Sequence, residues 1–350
     1  MTFYQELQLN QAGSKELIRN SQNNKEKLKH LAIYLFKIFI TMVFCMAFVI
    51  IYSTLFGNAN SIVGVVVLLF VLVFRKVDLS IKTSHALPSL LAIFAILAIG
   101  PRLSNASNLY VELLVNSVCI FLLLLIGCHN EKMCNHSTLV LGYLLLYGYD
   151  VSGDAYTKRL EAIAVGAIIT GIVYFRNHSK KTYERNFLSF FQEFDINSHR
   201  AKWQLSLTFA ISSILLIARI INLPRPMWAA IAVMSIITPF STGKKQKAKE
   251  RVLGNIVGTL LVCIIYSYCP EFTYNNIGII GGIGVGLSAT YGFQSVFNSF
   301  GAISAASTLL GFPAAIFFRV IDNVLGSVYG LVFNKYFCKF VGNRFYKSVI

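Results

Sequence analysis

The feature that most limits how this chain can fold is a series of twelve apolar runs separated by short polar or basic segments. A helix that crosses a membrane needs about 20 mostly apolar residues, and shorter helices are accommodated where the bundle or the bilayer adapts. The runs lie at 31–55, 60–74, 86–101, 108–127, 135–149, 158–175, 203–222, 227–240, 252–268, 277–291, 295–311 and 314–334. Hydrophobic residues make up 55% of the chain and charged residues only 13%. The sequence therefore predicts an all-α polytopic membrane protein with about twelve transmembrane helices.

The distribution of basic residues predicts the orientation of the runs, because cytoplasmic loops retain Lys and Arg. With the N-terminus inside, 24 of the 31 basic residues fall in cytoplasmic segments and 5 in external ones. Both termini are therefore expected to be cytoplasmic, with the protein in the plasma membrane, here the bacterial cytoplasmic membrane. The net charge of +16 then implies no nucleic-acid partner, since basic loops facing the anionic inner leaflet account for it.

The runs form two sets of six on either side of one basic, Phe-rich linker. The expected segments are a polar cytoplasmic N-terminus at 1–30, a first six-helix repeat at 31–175, the cytoplasmic linker at 176–202, a second six-helix repeat at 203–334 and a cytoplasmic tail at 335–350. We expect the N-terminus to be retained, because it carries no small-residue cleavage site. Two interpretations of the linker remain open: a helix in the inner membrane interface, or a solvated segment whose phenylalanines pack on the bundle.

One phrase occurs three times, an arginine followed seven residues later by a glycine at the start of an apolar helix. The copies run from Arg159 to Gly166, from Arg251 to Gly258 and from Arg319 to Gly326. The first and third copies lie 160 residues apart, which indicates an internal repeat. Intramembrane arginines are costly and usually face a bundle interior or an aqueous path, and a guanidinium suits a carboxylate. Arg159, Arg251 and Arg319 are therefore candidates for an anion path, with snorkelling to the headgroups as the alternative for the first two.

Two carboxyl groups lie inside the apolar runs. Asp322 shares a helix face with Arg319, so the pair is a candidate either for a structural ion pair or for a proton-coupled anion site. Glu112 lies one turn before Asn116, and these residues are candidates for helix–helix hydrogen bonding or for proton coupling. Asp322 and Glu112 are therefore the candidate coupling residues.

Small residues and tryptophans predict how the helices pack and where they end. Small residues four apart let membrane helices approach closely. The glycines expected at helix contacts are Gly166, Gly254, Gly258, Gly326 and Gly330. Trp203 and Trp228 fall at ends of apolar runs and are expected to be interfacial anchors.

The loop between the fourth and fifth runs holds four residues of types that bind zinc. They are Cys128, His129, Cys134 and His136. Their spacing matches no structural zinc pattern, so we expect no metal. Phosphate-binding loops and catalytic triads are also missing from the sequence, so we expect no catalytic residue and no cofactor.

One stretch of the second half resembles a known family. Arg225-Pro-Met-Trp-Ala-Ala opens one run, Thr238-Pro ends it, and Arg251-Val-Leu-Gly-Asn-Ile-Val-Gly opens the next. This order resembles the core signature of the fusaric-acid-resistance-like (FUSC), or aromatic acid exporter, superfamily. Residues 319–330 resemble the closing helix of that module, and residues 159–171 resemble the same helix in the first half. The resemblance implies export or channel-like passage of organic anions, often aromatic carboxylates, with helix-borne arginines near the pathway.

The sequence therefore predicts a transporter or channel-like exporter of organic carboxylates that is not an enzyme. Its expected partners are a small organic anion and membrane lipid, and homo-oligomerisation is left open. Two other classes remain: a membrane-embedded enzyme acting on a lipid-linked substrate, or a structural subunit of a larger export complex. An enzyme of that kind is expected to gather His, Asp or Glu at one membrane face, and the outer loops hold few, chiefly Asp150, Asp154 and Glu271.

Overall fold

The computed structural model describes residues 2–240 and 243–341, and within these ranges the chain is helical without a β-strand. The helices are α1 (Phe3–Leu7), α2 (Gln11–Arg19), α3 (Asn24–Phe56), α4 (Ser61–Phe74), α5 (Thr83–Ala106), α6 (Leu109–Gly127), α7 (His136–Gly148), α8 (Asp154–His178), α9 (Ser189–Gln192), α10 (His199–Ile220), α11 (Pro226–Ile236), α12 (Lys244–Tyr268), α13 (Pro270–Leu287), α14 (Tyr291–Leu310) and α15 (Phe312–Val341). Each of the twelve apolar runs coincides with one of these helices, in order from α3 to α8 and from α10 to α15.

Seven helices within the described residues are long and apolar enough to cross a membrane. They are α3, α5, α6, α8, α10, α12 and α15. The other five of the twelve are shorter or less apolar. The prediction of an all-α, multi-pass membrane protein is therefore confirmed, whereas twelve crossings remain a prediction.

Local sequence signals determine where several helices begin. The side chains of Asn108 and Ser198 each accept a hydrogen bond from the backbone N–H three residues later, at 3.0 and 3.1 Å, and so start α6 and α10. Pro226 and Pro270 occupy the first turns of α11 and α13, where a missing N–H costs nothing. Gly311, with φ +76°, separates α14 from α15.

The chain divides into two compact units, which do not coincide with the two halves of the sequence. The first unit contains residues 2–47 and 246–323, and the second contains the described residues of 48–245 and 324–341. The division falls inside α3, α12 and α15, so these helices contribute to both units.

Helix α7 lies at the centre of the second unit. It packs against α4, α5, α6 and α11, while α10 packs against α6 and α11. Leu139, Val140 and Leu144 are fully buried, and protein covers most of this short helix except the face that carries the exposed Ser137. A helix that is apolar around most of its circumference is expected to occupy such a position.

Trp203 and Trp228 are not interfacial anchors, because both are buried, with only 2% of each exposed. The indole N–H of Trp203 donates to the carbonyl of Ile237 at 3.1 Å, and its ring lies edge-on to His136. The prediction for these two residues is therefore wrong. A protein carbonyl, rather than a lipid headgroup, satisfies the polar edge of Trp203.

In the first unit, the N-terminal segment packs against helices rather than extending away from them. Lys37 donates to the carbonyl of Leu9 at 3.1 Å and to the hydroxyl of Ser14 at 2.6 Å. Gln11 donates to the carbonyl of Val285 on α13 at 3.3 Å. These bonds satisfy a lysine that the sequence places inside the first apolar run.

The linker at 176–202 forms no long helix beyond the end of α8, and its own helix α9 has four residues. Phe190 is buried, and the ring of Phe194 packs edge-on against Phe121 of α6. The structure therefore favours the second interpretation, in which linker phenylalanines pack on the helix bundle.

Candidate functional site

The first unit holds Arg251 in a network that joins three helices. Its Nε donates to the side-chain oxygen of Asn323 on α15 at 3.0 Å, and its Nη1 donates to the hydroxyl of Tyr291 on α14 at 3.1 Å. Asn323 in turn donates to the carbonyl of Arg319 at 2.7 Å. Arg251 is 8% exposed. Its guanidinium is therefore held by these protein contacts and does not reach the lipid headgroups.

The polar network continues along α12. The amide of Asn255 donates to the carbonyl of Arg251 at 2.8 Å, and its oxygen accepts a bond from Ser299 of α14 at 2.9 Å. Asn255 and Ser299 are buried. Buried polar side chains that bond across helices fix the register of α12 against α14.

Asp322 is fully buried, and neither of its carboxylate oxygens has a hydrogen-bond partner among the described residues. No hydrogen bond therefore joins it to Arg319, three residues earlier on α15, although Arg319 is also buried. A buried carboxyl without a hydrogen bond is costly and is typical of functional positions in membrane proteins. Because Asn323 follows Asp322 directly, this carboxyl lies on the turn of α15 that binds Arg251.

Arg159 belongs to the second unit and is 2% exposed. Its Nε donates to Asn60 at 3.1 Å, and its Nη2 donates to the carbonyls of Tyr149 at 2.7 Å and of Ala59 at 3.4 Å. These bonds join α8 to the end of α7 and to the segment before α4. These contacts argue against snorkelling of Arg159 to the headgroups. They give Arg159 a structural role in joining α8 to its neighbours.

Glu112 connects three helices of the second unit. One carboxylate oxygen accepts a 2.5 Å hydrogen bond from Tyr147 of α7, and the other is paired with Nη1 of Arg219 on α10. One turn on, Asn116 accepts a bond from Tyr143 at 2.8 Å. These are the contacts of helix–helix hydrogen bonding, and a coupling role for Glu112 remains a prediction.

The glycines of the repeated phrase lie at close helix contacts. A Cβ at Gly258 would lie 2.3 Å from the carbonyl oxygen of Val296, and one at Gly254 would lie 2.7 Å from that of Gly292. At Gly326 the nearest atom would be the carbonyl oxygen of Ala229, at 2.2 Å. Real side chains do not approach backbone atoms this closely, so these positions require glycine.

The two remaining glycines make looser or more adaptable contacts. A Cβ at Gly166 would lie 2.3 Å from a terminal methyl of Val67 on α4. At Gly330 nothing lies closer than 3.4 Å. Gly330 therefore has room for alanine.

Arg225 is a buried arginine that was not among the candidates. Its Nη1 donates to the carbonyl of Gly148 at 2.8 Å, and its guanidinium lies 4.6 Å from the centre of the Tyr149 ring. Its Nε and Nη2 are buried and have no hydrogen-bond partner within the described ranges. The only sequence signal for it is its place at the head of the Arg225-Pro-Met-Trp motif.

Three basic and acidic loops meet at one end of the second unit. His129 lies 3.0 Å from Nη1 of Arg200 and 3.2 Å from the carboxylate of Glu193. Burial lowers the pKa of His129 to about 4, with Arg200 and Arg185 acting in the same direction and Glu193 opposing them. This environment suits a neutral imidazole that accepts from Arg200 and donates to Glu193.

A cavity of about 620 Å³ adjoins these loops. Its charged and imidazole lining consists of His129, Glu131, Lys132, Arg185, His199 and Arg200. Nearby, burial alone would raise the pKa of Asp78, but hydrogen bonds from Lys181 and Tyr183 outweigh it and hold the pKa below its ordinary value. Within the described ranges no three His, Cys, Asp or Glu residues are grouped to hold a metal ion.

The comparison with protein families gives one match. Residues 211–333 match the family described as fusaric acid resistance protein-like. The resemblance is confirmed over this stretch. It covers about a third of the chain, from within α10 to within α15, and includes Arg225, Arg251, Arg319 and Asp322. Searches of the curated proteins and of the solved structures find no match.

The match and the seven apolar helices together indicate a membrane protein of the transporter or exporter kind. Arg251 and Asp322 lie in the matched stretch, whereas Arg159 and Glu112 lie outside it. The structure links Arg251 to the turn of Arg319 through Asn323. Arg159 belongs to the other unit.

Proposed function

We propose that the protein exports organic carboxylates, aromatic ones among them, across the bacterial cytoplasmic membrane without catalysing a chemical reaction. The observation that carries the proposal is the buried, unbonded carboxyl of Asp322 on the turn of α15 that binds Arg251 through Asn323. Permanently charged arginines attract an anion into a low-dielectric site, where their donors replace its hydration. The match to fusaric acid resistance protein-like sequences supports this class of function.

Asp322 gives the proposed site a means of coupling. An arginine side chain as such carries a permanent positive charge. A carboxyl on the same turn of α15 that takes up and releases a proton changes the net charge of the site by one. Binding of an anion and of a proton are then linked, and a proton gradient can drive the anion.

The proposed orientation of the chain in the membrane rests on the distribution of basic residues. It is supported by which loops contact one another. The segments assigned to the cytoplasm meet at one end of the second unit, where Lys181 binds Asp78 and Arg200 binds His129. The segments assigned to the outside meet elsewhere, and there Arg102 pairs with Asp150 at 2.7 Å. None of these three contacts joins a cytoplasmic segment to an external one. On this orientation, both termini are cytoplasmic.

We also propose twelve crossings in two six-helix repeats. The sixth helix of the first set, α8, packs through Gly166 on Val67 of the second helix, α4. The sixth helix of the second set, α15, packs through Gly326 on Ala229 of its second helix, α11. Equivalent helices making equivalent contacts support a parallel repeat related by an axis along the membrane normal.

The decisive experiment reconstitutes the purified chain in liposomes and screens organic anions for flux or current. We expect movement of at least one aromatic or aliphatic carboxylate, reduced by Arg251→Gln. Liposomes without protein and liposomes with the Arg251→Gln variant provide the baselines. If the folded chain alone moves no anion across the panel, the proposal is wrong, and a structural subunit or a lipid-modifying enzyme becomes the better explanation.

A further inference from the structure

Arg225 combines deep burial with an incomplete set of hydrogen bonds. It is 6% exposed, and one of its nitrogens, Nη1, is bound to the carbonyl of Gly148. The remaining donors, Nε–H and the Nη2 amino group, lie on the same edge of the planar guanidinium. In arginine generally, this edge of the guanidinium suits a carboxylate, because its two donors can bind both carboxylate oxygens through parallel hydrogen bonds. An unpaired buried guanidinium is costly, so its retention at this place calls for an anionic partner.

A second, independent feature of the same place also favours an anion. Arg225 is the residue before the first turn of α11, an eleven-residue helix. Pro226 has no N–H, and the N–H of Trp228 donates to the carbonyl of Arg225 at 2.9 Å. The N-terminus of a helix attracts negative charge through the helix dipole. The Tyr149 ring stacks on one face of the guanidinium, which leaves the edge as the binding surface.

The neighbouring charge adds to the attraction. Arg159 donates to the carbonyl of Tyr149, and Arg225 donates to that of Gly148, so two guanidinium groups are held at adjacent carbonyls. The next residue, Asp150, is engaged by Arg102. The end of α7 therefore carries three permanent positive charges and one negative charge.

We propose that Arg225 binds the carboxylate group of an organic anion at the N-terminus of α11. The assignment of this anion as the transported substrate rests on the proposed function, whereas the binding of a carboxylate does not. In the orientation proposed above, this end of α11 faces outwards, so the site lies at the outer side of the second unit.

The test follows the fluorescence of Trp228, which lies three residues after Arg225. The chain has two tryptophans, so a Trp203→Phe background isolates the signal. Purified full-length protein in detergent is titrated with sodium butyrate at constant ionic strength, with sodium chloride as the charge control and butyramide as the uncharged control. We expect a saturable change with butyrate alone.

The variants test the planar edge rather than the charge. Arg225→Lys keeps the charge and a donor for Gly148, but it cannot offer two parallel bonds, so butyrate affinity should fall about tenfold or more. Arg219→Lys, at an arginine whose nitrogens are already engaged by Glu112 and Ser107, should bind butyrate as the parent does. Folding of each variant is checked by its elution profile and thermal midpoint.

Three results would overturn the site: an equal response to butyramide, no response beyond that to chloride, or unchanged affinity in folded Arg225→Lys. The first two need no variant, so the proposal stays testable if Arg225→Lys does not fold. A further combination separates the two proposals: butyrate binding depends on Arg225, but the protein moves no anion in liposomes. This result would support the binding site and contradict the proposed function.

Discussion

Nε of Arg251 donates to the side-chain oxygen of Asn323 at 3.0 Å, which ties the second helix of the repeated arginine–glycine phrase to the third. The amide of Asn323 also donates to the main-chain carbonyl of Arg319, so this asparagine connects Arg251 to the turn of α15 that carries Arg319 and Asp322. At the candidate site, hydrogen bonds between side chains therefore connect α12, α14 and α15. The arginines are not separate charges at the ends of spans.

The first prediction concerns the charge and planarity of Arg251. Arg251→Gln removes a permanent charge from a low-dielectric site, so we expect anion flux in liposomes to fall at least about tenfold, while the amide can still bond to Asn323. Arg251→Lys should keep part of the flux, because attraction survives while the planar fork is lost. Lys15→Gln, in the polar N-terminal segment, is the control for a charge change alone. Parent-like flux in Arg251→Gln would show that the charge does not serve transport.

The second prediction concerns the close contact of α12 with α14. Gly258→Ala places a methyl 2.3 Å from a backbone oxygen, so the helices must separate, and we expect a loss of about 1–3 kcal/mol in stability. Gly301→Ala on α14 meets nothing within 4 Å and should be neutral or stabilising by up to about 1 kcal/mol through helix propensity. Thermal unfolding in detergent compares the two. Equal midpoints for both variants would contradict the packing role of Gly258.

The membrane class and the helices could be predicted because hydropathy is a local property of the chain. All twelve apolar runs correspond to helices, although α12 begins eight residues before its run and α3 seven before its own. Polar residues such as Lys244 extend these helices without lowering the hydropathy of their apolar parts. The ends of amphipathic or basic helices are therefore the part that hydropathy misses.

The contacts of the site could not be predicted, because they join residues far apart in sequence. Arg159 binds Asn60 and Arg251 binds Asn323, 99 and 72 residues away. Snorkelling and burial look the same in a sequence, since both place an arginine near the end of an apolar run. The tryptophan prediction failed for the same reason: nothing local marks the carbonyl of Ile237 as the partner of Trp203.

The third prediction concerns pH and His129. Its pKa is lowered to about 4 from an ordinary 6.5, so the unfolded chain takes up a proton in this interval that the folded chain does not. Its contribution to stability is complete above pH 6.5 and is lost as the pH falls towards 4, on the order of 1–3 kcal/mol. The thermal midpoint of the parent should therefore fall more steeply over this interval than that of His129→Asn. Parallel curves would contradict the assignment.

The pKa of Asp78 is also lowered, but from an ordinary value of 3.8. Its contribution is complete above that value and is lost only at more acidic pH. The two groups therefore act in different intervals, and Asp78 does not mask the effect of His129.

The fourth prediction concerns orientation. Lys245 is exposed near the start of α12, and the native Cys269 is exposed just beyond its other end. If α12 crosses the membrane as proposed, a membrane-impermeant thiol reagent should label Cys269 in intact cells but should label Lys245→Cys only after permeabilisation. The variant is made with the other six cysteines replaced, and Cys269 is retained or replaced to separate the two signals. Ready labelling of Lys245→Cys in intact cells would show that the orientation is opposite to the one proposed.

The fifth prediction separates the two buried carboxyls. Glu112 is held by Tyr147 and Arg219, so Glu112→Gln weakens an ion pair and should lower stability by about 1–3 kcal/mol while leaving the pH-gradient dependence of flux intact. Asp322 has no hydrogen bond to lose within the described residues, so Asp322→Asn should fold with little loss of stability. Its flux should then no longer respond to a pH gradient, because the site can no longer exchange a proton. Flux and thermal midpoints are measured on the same preparations, with the parent as reference. If Asp322→Asn unfolds while Glu112→Gln loses the gradient dependence, the coupling residue is Glu112, and Asp322 has the structural role.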